Sequence, residues 1–368
     1  MILPARPDAP FLNKELQKER NNPYLWNMNN GKDYIATWFY REGPEDCSFY
    51  PQAGGRGDSE LLHSVYMKIQ VPFFTTFRIC HPEAHMLFFT NLKGEELPPF
   101  LKDLFKRCEV ETVTLAYTRR PPKGWYKQWA NQFYLYDMLK YMEGRMDDND
   151  TLTVCDADCL CRRPLKGLLS EVRRSGSALY LVGNDTDYTR EKRINGTSPA
   201  ELETVYTGCY GEKPHHAMHY YGGEFLSLRA DVVRMLNAAL PKLWNYNFSL
   251  PAGTPRLHEE AHMLSVLAER LNICNNTAGH YVKRIWTGHI YNNVKKDDLK
   301  LAVWHLPAEK KTGLYLLYRK ITRDKGIRNP ATFWTKAASW CGLTTHGYKK
   351  RLNDILIKLA KRTLWRGL

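Results

Sequence analysis

Between residues 34 and 158 the sequence alternates short apolar runs with amphipathic ones, and this constrains the fold more than any other feature. Tyr34 to Tyr40 (YIATWFY) reads as a buried first strand. A glycine-rich loop, AGGRGD, leads into an amphipathic stretch from Ser59 to about Ile79. His85 to Thr90 (HMLFFT) is a second strand and Pro98 to Arg107 a short helix. Val113 to Tyr117 is a third strand. Trp125 to Met142 is read as a helix, because Trp129, Phe133, Tyr136 and Leu139 recur at helical spacing. Thr151 to Cys155 (TLTVC) is a fourth strand, and it runs directly into Asp156-Ala157-Asp158. Strands separated by helices of this length predict an α/β fold with a mostly parallel sheet and helices on both faces. Ligands of such sheets bind outside the carboxyl ends of the strands.

The DAD turn falls at such an end. Two carboxylates one residue apart can turn toward one point, and a hard cation takes one or two carboxylates together with phosphate oxygens. Asp156 and Asp158 are therefore candidate ligands for Mn²⁺ or Mg²⁺. A solvated turn is the plainer reading of the tripeptide alone. Downstream, His258-Glu259-Glu260-Ala261-His262 is open to two readings. As a literal H-E-x-x-H on a helix it would bind zinc through His258 and His262, with Glu259 as base of a metalloprotease. As a helix start, its acidic residues suit the first turn.

Taken together, the segments resemble glycosyltransferases of the GT-A type. One branch of that class comprises the retaining α-1,3-galactosyl and N-acetylgalactosaminyltransferases that include the blood-group enzymes. The run Tyr220-Tyr221-Gly222-Gly223-Glu224-Phe225 resembles that branch's aromatic segment with paired glycines, and HEEAH resembles its later His-Asp-Glu-Ser-His run. Glu259 stands where those enzymes have Asp. The likeness spans about residues 34–305. It implies that Asp156 and Asp158 hold the ion on a nucleotide sugar's diphosphate, and that Glu260 is the catalytic carboxylate, with Glu259 in reserve. Thr37, Trp38 and Phe39 would line the base and ribose of the sugar nucleotide. Gly223, Glu224 and His258 would meet the saccharide acceptor. His305, in WHLP, followed by Lys310 and Lys311, is similar to the late metal-ligating histidine and diphosphate-binding lysine of bacterial lipooligosaccharide galactosyltransferases. A UDP-hexose is the expected nucleotide sugar.

Charge is concentrated at the end of the chain. From Arg319 onward, thirteen Lys or Arg face two Asp or Glu, so of the total +14 only about +3 precedes Arg319. A near-neutral body argues against nucleic acid as partner. Tyr348 to Arg366 reads as a basic amphipathic helix with Leu352, Ile355, Leu356 and Leu359 on one face, which suits an anionic membrane surface; docking on the protein's own surface is the alternative. The expected organisation is a polar arm over residues 1–30, a GT-A domain over 31–308, and a basic helical region over 309–368. Nine cysteines without metal-site spacing fit reduced structural thiols in a cytoplasmic protein, peripheral on the inner face of a membrane. A lipid-linked acceptor, as in lipopolysaccharide or capsule synthesis, would fit that location.

Overall fold

The structure, a computed structural model, describes residues 31–364 apart from 46, 52–53, 184–189, 289–290 and 346. The expected arm over residues 1–30 lies outside the described residues.

The central strand is β1 (Asp33–Phe39), whose Ile35, Ala36 and Thr37 have no solvent exposure. A short hairpin, β2 (Phe49–Tyr50) and β3 (Gly55–Arg56), leads to helix α1 (Glu60–Cys80). Ser59 starts α1 by accepting a hydrogen bond from the Leu62 amide, and Glu60 meets the positive end of the helix. β4 (His85–Thr90), α2 (Pro99–Arg107) and β5 (Val110–Thr114) follow. Then come α3 (Tyr134–Glu143), β6 (Thr151–Cys155), β7 (Cys159–Cys161), α4 (Lys166–Ser175) and β8 (Ser177–Leu181).

Two expectations are corrected. The helix placed over Trp125 to Met142 begins only at Tyr134. Trp129 has a φ of 46°, and the Phe49 amide bonds to Lys127 O while the Trp129 amide bonds to Phe49 O. The aromatic periodicity of residues 125–133 therefore marks a loop held against the hairpin. The third strand lies three residues earlier than its apolar run, because the pairing with β4 begins at Val110 opposite Met86.

The second half adds α5 (Pro199–Tyr210), β9 (Tyr221–Arg229), α6 (Ala230–Ser249), α7 (Glu260–Arg270), β10 (Val282–Arg284) and β11 (Val303–His305). The main sheet runs β5-β4-β1-β6-β9-β8. β5, β4, β1 and β6 are parallel neighbours, and only β9 opposes them. The mostly parallel α/β class read from the sequence is the one observed. Helices cover both faces, which is why successive residues of β1, β4 and β6 are buried rather than alternately exposed. From β1 the chain turns one way to β4 and β5, and later the other way to β6. The crevice at the carboxyl ends of β1 and β6 is thus the topological switch point.

A three-stranded sheet, β10-β11-β7, stands beside this crevice. Residues beyond 308 contribute to the interior. α8 (Gly313–Asp324) and α9 (Pro330–Trp340) put Leu314, Leu317, Ile321 and Phe333 into the core shared with α1. The last helix, α10 (Gly347–Leu364), leaves Leu352, Ile355, Leu356 and Leu359 between 44% and 58% exposed. Among the described residues no helix is long and apolar enough to cross a membrane.

Candidate active site

The DAD turn joins β6 to β7 and is closed by the Cys159 amide bonding to Asp156 O. β7 pairs antiparallel with β11, with Cys159 opposite His305. That register, with the Leu306 amide on Asp158 O at 3.1 Å, brings His305 to the carboxylates. His305 Nε2 lies 3.4 Å from Asp158 Oδ2 and 3.7 Å from Asp156 Oδ2. The three side chains can offer ligand atoms all within 4.8 Å of one another. Both ring nitrogens of His305 and Oδ1 of Asp158 are buried without a hydrogen bond of good geometry. Buried polar atoms normally find partners, so this cluster has the donor set and the unmet demand that fit a divalent cation. Carboxylate oxygens and one imidazole suit Mn²⁺ or Mg²⁺ rather than a thiolate-loving ion.

Lys310 Nζ donates to Asp158 Oδ2. Burial pushes the Asp158 carboxyl upward, but Lys310 and His305 outweigh it and hold the group well below its usual range. Lys310 is itself buried, yet Asp158 keeps it protonated. Burial and the Asp158 charge push Asp156 the other way, to about 6. Solvent reaching its 42% exposed side chain tempers that rise.

The cluster opens on a cleft of about 270 Å³. Its opposite wall is a pair of adjacent carboxylates. Glu259 is the N-cap of α7 and Glu260 its first residue. Glu259 accepts from Asn195 Nδ2 at 2.9 Å on each oxygen and from the Tyr220 hydroxyl. Gln132, with its amide turned to satisfy its neighbours, donates to Glu260 Oε2 at 2.9 Å. Burial raises Glu259 to about 7, against the pull of Tyr220 and Asn195. Burial, then the charge of Glu259, raises Glu260 well above the usual range. The glycine pair explains how these groups fit. A Cβ on Gly223 would stand 2.2 Å from Glu260 Oε1, and one on Gly222 would stand 2.0 Å from Glu224 Oε2. Glu224 is buried against Arg284, with Nε 2.5 Å from Oε1, and this cation holds it below its usual range despite burial.

Of the residues singled out in the sequence, Trp38, Phe39, Asp156, Asp158, Gly223, Glu224, Glu259, Glu260, His305 and Lys310 line one cleft. Thr37 does not; it is fully buried within β1. Lys311 points away, toward the hairpin at Gly54. His258 stacks on Tyr126 in a neighbouring cavity that shares Tyr40 and Asn131 with the cleft. The zinc reading of HEEAH loses its premise, because α7 begins after His258. His262 Nδ1 accepts the His258 amide, and its Nε2 faces Ile194 O at 2.9 Å. Both nitrogens of His262 are engaged, and the two rings do not share a helix face.

Sequence reasoning did not find Arg284, Gln132, Asn195 or Tyr66, all of which line the cleft. Asn195 alone carried a signal: Asn-Gly marks a turn, and Asn195 has a φ of 50°.

No protein-family model and no curated protein sequence matches the chain. Solved structures that it is similar to include the bifunctional glycosyltransferase WbbM in its apo form. That match has 9% identity and a TM-score of 0.48, covering 75% of this chain and 46% of WbbM. Mouse xyloside xylosyltransferase 1, also apo, matches at 10% identity and a TM-score of 0.43, covering 74% of this chain and 97% of that one. The galactosyltransferase LgtC, solved with donor and acceptor sugar analogues, matches at 12% identity and a TM-score of 0.37, covering 87% and 99%. This chain thus spans under half the length of WbbM. At these scores the likeness assigns no residue a role.

Proposed function

We propose that this chain is a metal-dependent GT-A glycosyltransferase that moves a hexose from a nucleotide sugar to a saccharide acceptor. The observation that carries the reading is the cluster Asp156, Asp158 and His305. Its buried nitrogens are unmatched, and it shares one cleft with Lys310 and the Glu259–Glu260 pair. A divalent cation held there would supply charge neutralisation on a departing diphosphate. Lys310, already charged and buried, would offset further charge on the same leaving group. Trp38, Phe39 and Tyr40, at the carboxyl end of β1, present aromatic surface suited to a base such as uracil. Lys311 and Thr37 play no part in that contact.

Glu260 faces the cleft from the start of α7 and is the group we place at the reacting sugar carbon. A retaining outcome in the manner of the blood-group-like transferases rests on the YYGGEF and HEEAH resemblances. Gly223 lets the Glu260 carboxylate lie against the strand, and Glu224 with Arg284 forms a polar wall where an acceptor would lie. The exposed apolar face of α10, with Lys349 and Arg351 beside it, suits a peripheral seat on anionic lipid and hence a lipid-linked acceptor such as a lipopolysaccharide or capsule precursor.

A thermal-shift panel of nucleotide sugars with and without Mn²⁺ tests the reading. A bound nucleotide sugar at a hundredfold excess over Kd stabilises the fold by about 2.7 kcal/mol. A panel in which no nucleotide sugar raises Tm in the presence of Mn²⁺ or Mg²⁺ ends it.

A further inference from the structure

Among the described side chains of α10, Lys350 is the charged one buried deepest, and it does not face solvent or lipid. Lys350 is 5% exposed, and its Nζ lies 2.9 Å from Glu309 Oε1 and 2.6 Å from Asp354 Oδ1. Glu309 is buried too, at 1%. It belongs to the short turn Pro307–Glu309 that separates His305 from Lys310. Besides Lys350, Glu309 accepts from the Thr287 hydroxyl, from Thr312 Oγ1 at 2.6 Å and from the Gly313 amide at 2.9 Å. It therefore ties together the loop carrying Trp286, which lines the cleft, the turn carrying Lys310, and the start of α8.

Two glycines make room for the pair. A Cβ on Gly313 would stand 2.8 Å from Glu309 Oε2, and one on Gly342, at a φ of 77°, would stand 2.7 Å from Lys350 Cε. A buried carboxylate with four donors is well satisfied; without its cation it keeps its charge and loses its counter-charge.

We propose that Lys350 is a positioning residue of the active site: through Glu309 it holds the turn that presents Lys310 to Asp158. The first turn of α10 is then part of the catalytic unit, and the helix is not a detachable anchor. Removing the chain from Gly347 onward would release the Pro307–Lys310 turn even for an enzyme assayed on a soluble acceptor. The positioning role rests on the glycosyltransferase reading given above, while the clamp on the turn stands on geometry alone.

The experiment has two arms so that the two can fail separately. Hydrogen exchange is measured on the full chain and on K350M, K350R and the charge-neutral pair E309Q/K350M, which keeps no orphaned buried charge should K350M fold poorly. Amides of Glu309, Thr312 and Gly313 are expected to exchange about tenfold faster in K350M and in the double variant, with β1, β4 and β6 unchanged and K350R close to the parent. Unchanged protection of these amides overturns the clamp, whatever the reaction is.

The second arm measures Mn²⁺-dependent UDP affinity in the parent, K350M, K310M and the K310M/K350M pair. If Lys350 acts through Lys310, K350M weakens binding about tenfold in the parent and has no further effect once Lys310 is gone. An equal loss in both backgrounds shows that Lys350 acts elsewhere and overturns the positioning role. Absence of UDP binding by the parent removes the glycosyltransferase reading and the positioning role with it, and leaves the clamp to the first arm.

Discussion

His305 stands 3.4 Å from Asp158, and neither of its ring nitrogens makes a hydrogen bond of good geometry. A buried histidine is usually satisfied by a carbonyl or hydroxyl, as His262 is by Ile194 O. The two buried histidines thus differ: both nitrogens of His262 are engaged and neither of His305 is. Beside His305, the Lys310 ammonium donates to Asp158 Oδ2 and offsets part of the cluster's negative charge.

The carboxylates of the cluster should respond unequally to mutation. Asp156→Ala removes a half-exposed group and should abolish Mn²⁺-dependent nucleotide-diphosphate binding with little change in Tm. Asp158→Ala should abolish the same binding and also cost about 3–5 kcal/mol of stability, because it strands buried Lys310. His305→Ala should weaken metal binding without abolishing it. Calorimetric titration of UDP with and without Mn²⁺, beside thermal melts, checks all three. Undiminished metal-dependent binding by Asp156→Ala would exclude this metal site.

Stability should depend on pH through the raised carboxyls of the cleft, Glu259 among them with Glu260 and Asp156. The folded-state value of Glu259, about 7, lies above its ordinary 4.5. Between these values the unfolded chain gives up its proton before the folded one does, so stability is greatest below the lower value and falls as pH rises toward the upper. The loss is on the order of 3 kcal/mol for a shift of this size. Denaturant unfolding of the metal-free protein from pH 5 to pH 7.5 should show this decline, and Glu259→Gln should make it shallower, leaving the part due to Asp156 and Glu260. An unchanged slope in the variant would show that another group titrates there.

Much of this site was legible because the strands that carry it are local and apolar. TLTVC running into DAD places two carboxylates at a strand end from sequence alone. The paired glycines at 222 and 223 announce close approach, and what they admit is Glu224 and Glu260. What escaped was non-local. Arg284 reaches Glu224 only because β10 joins β11, and β11 pairs with β7. Gln132 was hidden inside a periodicity that the backbone at Trp129 breaks. The expected boundary at residue 308 followed the end of the resemblance near residue 305, and the basic region after it was read from charge. Charge describes the surface, and it gave no sign that Leu314, Leu317 and Phe333 lie in the core.

Gly223→Ala should separate binding from chemistry. The new methyl would meet the end of a flexible side chain, Glu260 Oε1, so the fold should survive while the carboxylate is pushed aside. The expected outcome is a kcat at least tenfold lower with UDP affinity unchanged, since a group acting in the transition state has moved and the nucleotide site has not. Glu260→Gln should lower kcat by two or more orders of magnitude, roughly the contribution of an acid–base or electrostatic group. Equal losses of UDP affinity and kcat in Gly223→Ala would place the glycine in the nucleotide site instead.

The outer face of α10 can be tested apart from its buried lysine. Leu352, Ile355, Leu356 and Leu359 are about half exposed and lie on one side of a helix whose first turns also carry Lys349 and Arg351. Apolar burial and positive charge act together at an anionic bilayer, each cation contributing about 1 kcal/mol near the surface. Ile355→Asp with Leu356→Asp should therefore reduce binding to vesicles containing phosphatidylserine by more than tenfold, roughly the loss expected when two apolar anchors become anions. Turnover of a soluble acceptor should stay at the parent level, because Lys350 and Glu309 are untouched. Parent binding should weaken as salt rises from low to physiological concentration, since the attraction acts across a screened surface. Equal binding of parent and variant to neutral and anionic vesicles would remove the membrane role from α10. The exposed leucines would then call for a protein partner, and native mass measurement of the full chain would show whether that partner is a second copy.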